Sequence, residues 1–178
     1  MSAVWTPAAM PAGLVADLRS DQAGETGAVW IYRGVMAVSR DPALRAFAQR
    51  HLATERRHLS LIEACLPTAQ HSRLLPLWRV AGWLTGALPA LAGARAVYGT
   101  VAAVESFVDQ HYQAQVDRLS GQPAWAPLRE LLDGCRRDEV DHRDEAAALA
   151  GPPGRLMRAW CRLVGAGSAA AVAVCRHV

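Results

Sequence analysis

Lysine is missing from this 178-residue sequence: its nineteen basic side chains are all arginine, set against sixteen acidic ones and spread along the chain with no dense basic run. A net charge of +3 carried this way leaves no electrostatic footprint for nucleic acid, so no nucleic-acid partner is expected. The lack of lysine is read as genomic base composition, and arginines on a helix face can still meet anionic headgroups. Strand formers are scarce too. There are two phenylalanines and two isoleucines, Ile31 and Ile62, against a preponderance of alanine and leucine, which excludes an all-β fold. The four cysteines, Cys65, Cys135, Cys161 and Cys175, have no CxxC or other zinc spacing and read as small buried thiols in a reducing compartment. Met1–Met10 lacks a basic region, a long apolar run and arginine enrichment, so nothing in it predicts export.

What is present is apolar. A hydrophobic content of 52% with 20% charged residues excludes disorder but leaves a membrane surface open. The length suits one domain, taken here as residues 1–178, and is too short for two of ordinary size. Proline and glycine divide the chain into six helical stretches: about Leu14–Ser39, Asp41–Cys65, Pro76–Gly93, Ala94–Leu119, Ala124–Ala150 and Arg155–Cys175. Asp41-Pro42 reads as an N-cap followed by proline at the first helical position. The third stretch holds VAGWLTGALPALAGA, uncharged, bounded by Arg79 and Arg95 and too short to span a bilayer. It reads either as a buried core helix or as a helix lying in a membrane interface. The sixth, interrupted only by Arg162 after Trp160, repeats the theme and tilts the balance toward membrane association.

Carboxylates at apolar helical positions carry the chemistry, because a buried charge is costly unless paired or bound to metal. Glu25 lies at the edge of the apolar face of the first helix, and Glu105 in VAAVESFV has apolar flanks on both sides. Glu55 with His58 and Glu139 with His142 each form a Glu-x-x-His pair, whose members share one side of a helix. Singly such pairs are common, but their order is informative. A lone Glu, a Glu-x-x-His, a lone Glu and a second Glu-x-x-His form a duplication, with 30 residues from Glu25 to Glu55 and 34 from Glu105 to Glu139. Two antiparallel helix pairs related by a pseudo-two-fold would bring four glutamates and two histidines to one point, the ferritin-like carboxylate pattern for two iron or manganese ions. Four carboxylates offset two divalent charges and one histidine per metal leaves positions for oxygen, whereas structural zinc prefers thiolates. The expected architecture is all-α: a ferritin-like four-helix bundle with two additional apolar helices.

These residues lie in blocks that resemble the demethoxyubiquinone hydroxylase family of ubiquinone biosynthesis. DQAGETGA at Asp21–Ala28 is similar to the signature around the family's first glutamate ligand, and IYRG at Ile31–Gly34 continues it. LATERRHL resembles the second ligand block, PLWRVAGWLTGALPAL the central apolar helix, VESFVDQHY the third ligand block and RDEVDHRDEA the fourth. The likeness runs from about Asp17 to the C-terminus. It implies a single di-iron domain with ligands Glu25, Glu55, His58, Glu105, Glu139 and His142, the six that spacing selects. His111 and Tyr112 match the family's His-Tyr pair, implicated in handling the quinone or its electrons, although residues two turns beyond Glu105 could also simply pack in the bundle. The chain departs from the family at Trp30, at Val35, where a glutamine is common, and in the last helix, which reads AVAVCRH where an aromatic residue is usual. Those departures bear on the quinone pocket and not on the metal ligands.

The resemblance implies a monooxygenase that places one oxygen atom of O2 on the ring of demethoxyubiquinol, with two iron ions as cofactor, O2 as co-substrate and NADH or another reductant as electron donor. No nucleotide-binding glycine motif accompanies it; Gly24-Glu25-Thr26-Gly27 lies within a helix. The implied partners are a polyprenyl quinol and a membrane surface, at the cytoplasmic face of a bacterial inner membrane. A lipid-binding protein partner and a homo-oligomer are left open. The alternatives are a ferritin-like protein handling iron or peroxide and a non-catalytic quinone- or lipid-binding member of the family.

Overall fold

The computed structural model describes residues 10–178, so the expectation drawn from the N-terminus lies, Met10 apart, outside the described residues. Among the described residues there are six α-helices: α1 (Ala12–Val38), α2 (Pro42–Cys65), α3 (Leu75–Ala92), α4 (Ala94–Leu119), α5 (Ala126–Ala150) and α6 (Arg155–Cys175). There is no strand among the described residues. The boundaries follow local chemistry. Asp41 caps α2 as expected, its carboxylate accepting from the Ala43 and Leu44 amides at 2.9 and 3.4 Å, and α2 stops ahead of Pro67. Helix α1 starts earlier than its sequence suggests because the Pro11 carbonyl already accepts from the Leu14 and Val15 amides. Helix α5 starts later: Pro123–Trp125 closes as a separate 3₁₀ turn, and Pro127 occupies the first turn of α5, where no amide hydrogen is needed.

The duplication extends beyond the two helix pairs. Helices α1 and α2 form one antiparallel hairpin and α4 and α5 the other, while α3 packs on α1 and α6 on α4, so each half is a hairpin with an apolar third helix. This is the ferritin-like bundle with two extra helices. Two apolar clusters occupy its ends. One gathers Leu14, Leu18, Ile62, Leu66, Leu128 and Leu132; the other gathers Val29, Val35, Leu44, Phe47, Val97 and Val101. Each such side chain, once buried, contributes about 1.5–3 kcal/mol, and together they offset the polar layer held between them.

Helix α3 meets α1 backbone to backbone. A Cβ added to Gly82 would overlap the Gly27 carbonyl, one on Gly86 the Ile31 carbonyl, and one on Gly34 the Trp83 carbonyl. Glycine is needed at these three positions for close approach and not for an unusual φ. With Gly82, Gly86, Ala87 and Pro89 turned inward, the larger apolar residues of α3 face out: Leu77, Val80, Leu84, Leu88 and Leu91 are exposed, and Leu156, Leu163 and Val174 of α6 likewise. The choice between a core helix and a surface apolar helix therefore resolves as both, with a glycine face inside and a leucine stripe outside. No described helix is long and apolar enough to cross a membrane. Of the cysteines, Cys65, Cys135 and Cys175 are buried, but Cys161 is half-buried, because α6 packs on one side only; its thiol donates to the Gly99 carbonyl at 3.4 Å.

Candidate metal centre

The polar layer between the two apolar clusters is where the six predicted ligands meet. Glu25 comes from α1, Glu55 and His58 from α2, Glu105 from α4, and Glu139 and His142 from α5; all six are buried. Glu25, which its sequence placed at the edge of the core face, is 4% exposed. Two overlapping groups form, Glu25/Glu55/His58/Glu139 and Glu55/Glu105/Glu139/His142, each with its donor atoms within 4.8 Å of one another. Glu55 and Glu139 belong to both groups and lie between them. Each histidine faces the glutamate of the opposite helix pair: His58 Nδ1 is 2.8 Å from Glu139 Oε1, and His142 Nδ1 is 3.0 Å from Glu55 Oε1.

Burial and crowding set the charges. The Glu25 carboxyl is pushed well above the usual carboxylate range by burial, against the pull of His58 and with repulsion from Glu55 and Glu139; Glu105 is raised by burial, then by Glu139 and Glu55. Burial alone would raise Glu55 as well, but the adjoining His142 and His58 hold it down to about 2. Burial opposes charge on both imidazoles, yet Glu139 and Glu55 raise His58 and take His142 up to about 9. The metal-free centre thus keeps protons that a bound cation would displace. The fit to a cation also shows in unpaired atoms. Glu25 Oε2, Glu55 Oε1, both Glu139 oxygens and Nδ1 of His58 and of His142 are buried without a hydrogen-bond partner. Carboxylate oxygens with one imidazole nitrogen per group suit iron or manganese.

A second layer holds these candidate ligands, and most of it is not marked in the sequence. His58 Nε2 lies 2.9 Å from Asp138 Oδ2, which also accepts from Arg57 at 2.5 Å, an arrangement that orients the ring. Tyr112 donates a short hydrogen bond to Glu25, and Tyr32 donates to Glu105 at 3.1 Å. Tyr112 follows Glu105 by seven residues and Tyr32 follows Glu25 by seven, so each tyrosine serves the glutamate of the other half. That repeated offset was the available signal for Tyr32. His51, one turn before Glu55, packs against His142 with ring centroids 4.0 Å apart and the planes tilted by 39°.

The His-Tyr pair divides. Tyr112 reaches the centre, whereas His111 stays on the wall of an adjoining cavity, its Nε2 2.8 Å from Asp21 Oδ1, with Gln115 also donating to that oxygen at 2.6 Å. The cavity, about 430 Å³, lies between α1, α3, α4 and α6; Glu25, Glu55, Glu105 and Glu139 form part of its wall, and most of the rest is apolar. Two of the three departures from the family pattern lie elsewhere. Val35 is fully buried in an apolar cluster, and Trp30 packs under the Arg33 guanidinium at 4.6 Å. In the last helix, by contrast, Ala171, Val172 and Cys175 line the cavity.

Comparison with known proteins places the chain among named relatives. The family model described as "Ubiquinone biosynthesis protein COQ7" matches residues 12–175. A protein of Rhodospirillum rubrum named 3-demethoxyubiquinol 3-hydroxylase is 42% identical over 130 residues, covering 71% of this chain and 60% of that one. A Rattus norvegicus protein named NADPH-dependent 3-demethoxyubiquinone 3-hydroxylase, mitochondrial, is 32% identical over 162 residues, 87% of this chain and 73% of that one. A Paracidovorax citrulli 3-demethoxyubiquinol 3-hydroxylase is 33% identical over 154 residues, 83% and 74% of the two chains. The matched stretch thus spans less than two thirds of the R. rubrum protein and about three quarters of the other two.

Proposed function

This chain belongs to the ubiquinone biosynthesis protein COQ7 family, and from that premise we propose that it is a di-iron monooxygenase that hydroxylates the ring of demethoxyubiquinol. The observation that carries the reading is the meeting of six buried candidate ligands in two overlapping groups with an apolar cavity of about 430 Å³. Glu25 and His58 would hold one ion and Glu105 and His142 the other, with Glu55 and Glu139 available to both. Once bound, the two irons supply the place where O2 is reduced. The protein's own groups do the rest. Tyr112 and Tyr32 hold Glu25 and Glu105 in place, Asp138 fixes the His58 ring, and Gly24 and Gly27 of α1, with open space beside them on the cavity wall, admit a flat ring close to the backbone. His111, held by Asp21, offers one of the few polar contacts on the cavity wall for a ring oxygen.

The name of the Rattus norvegicus relative points to a reduced nicotinamide nucleotide as electron donor. The outward leucines of α3, with Arg73 and Arg79 at its start, favour a peripheral membrane position in which an isoprenoid tail enters between α3 and α6. The deciding experiment is iron per chain after anaerobic loading, wild type beside Glu139→Ala, followed by demethoxyquinol turnover. The expected result is about two irons and hydroxylated product in the wild type, with both lost in the variant. A wild type that oxidises ferrous iron rapidly and leaves the quinol unchanged would overturn the hydroxylase reading in favour of iron handling.

A further inference from the structure

One more set of buried polar side chains touches the centre, and it has an exit. Tyr32 and His51 are 1% and 2% exposed, and neither lines the apolar cavity. The Tyr32 hydroxyl lies 3.1 Å from Glu105 Oε1 and 3.3 Å from His51 Nδ1. The other ring nitrogen, Nε2, is 2.9 Å from Glu145 Oε2. The Glu145 side chain is 40% exposed and accepts from Arg50 at 2.6 Å. Phe47 and His142 clamp the His51 ring, each with its centroid 4.0 Å away. From solvent to a predicted metal ligand every link is a direct hydrogen-bond distance.

The duplication shows that this line is more than symmetry. Tyr112, the counterpart of Tyr32, has its hydroxyl hydrogen bond to Glu25 and no onward partner among the described residues. The residue one turn before Glu139, matching His51 before Glu55, is Cys135, which is buried. The line from Tyr32 through His51 and Glu145 to water therefore has no counterpart behind Tyr112.

We infer that Glu145, His51 and Tyr32 form a proton path from solvent to Glu105 Oε1. The inference rests on the hydroxylase reading, which sets the demand. Converting a ring C–H to C–OH with O2 takes two electrons, from a reduced nicotinamide nucleotide, and two protons, and it releases one water. An apolar cavity filled by a quinol does not carry those protons. Along the path, a proton taken from water at Glu145 passes to His51 Nε2, His51 Nδ1 gives its own to the Tyr32 oxygen, and Tyr32 gives its own to Glu105 Oε1. One proton enters, one arrives, and no charge stays on the chain.

The test is His51→Gln, whose amide can both donate and accept but does not relay a proton. Metal-free protein is mixed with cobalt(II) in weak buffer containing a pH indicator, and proton release is timed against the cobalt absorption. Wild type should show the two together; in His51→Gln, proton release should lag roughly tenfold with the final cobalt content unchanged. Turnover of the iron-loaded variant should fall roughly 10–100-fold with a larger solvent deuterium isotope effect. Glu145→Gln, at the surface, should shift both measurements the same way and carries the test if His51→Gln does not fold. Variants that release protons with the wild-type timing would overturn the path and leave His51 a structural brace. A wild type that binds cobalt but hydroxylates no demethoxyquinol would sink the functional reading alone, because cobalt-driven proton release still decides the path.

Discussion

The two flanks of the centre differ in what lies behind their ligands. On the α2/α5 flank, His58 is backed by Asp138 and Arg57, and His142 by the His51–Glu145–Arg50 series, all leading to solvent; a groove of about 490 Å³ reaches His58 from that side. On the α1/α4 flank, Glu25 and Glu105 accept from tyrosines and form part of the wall of the apolar cavity, while Tyr32 behind Glu105 leads back through His51 to the α2/α5 side. One layer of ligands thus separates a watery side from an oily one. A centre built this way can receive an apolar ring from one direction and ions or protons from the other.

Three changes would break or sharpen that contrast. The largest effect is expected from Gly86→Val, which drives a side chain into the Ile31 carbonyl and forces α3 away from α1. Stability in urea should fall by about 3 kcal/mol while the α2/α5 flank still loads iron. Iron lost in proportion to stability would mean that the flanks are not separable. Asp138→Asn attacks the other side: the amide no longer anchors the His58 ring as a carboxylate does, and iron affinity should drop about 10–100-fold with little change in quinone binding, read by competition with a metal chelator. The smallest effect is expected from Leu84→Glu with Leu91→Glu on the outward stripe of α3, where Leu91 is 74% exposed. Flotation with anionic vesicles should weaken several-fold at unchanged iron content; unchanged flotation would remove the membrane role from α3.

The meeting of these six residues was legible because the chain repeats its pattern, and the repeat survives as geometry: each half supplies one lone glutamate and one Glu-x-x-His to the same layer. Helices α4 and α6 start and stop where glycine and proline said they would. The supporting layer was harder to read. Asp138 is 80 residues from His58, and Glu145 is 94 from His51, so only folding brings either pair together. Nothing local marks Asp138 as different from the other acids around it in RRDEVDHRDE. The role of α3 was ambiguous for a physical reason: its apolar residues surround the helix, and hydrophobicity alone does not say that the glycines face in and the leucines out.

The backbone contact between α1 and α3 makes those two helices one rigid wall, since neither can roll or slide without a carbonyl colliding with a Cα. Helix α6 is attached differently, through side chains such as Trp160 to Thr100 at 2.8 Å and the ion pair of Arg176 with Asp17. A chamber with one immovable wall and one side-chain-mounted wall adapts to a thicker or thinner guest by exchanging residues on the second. Divergence in guest size among chains of this design should therefore accumulate along α6 and leave the glycines of α1 and α3 in place.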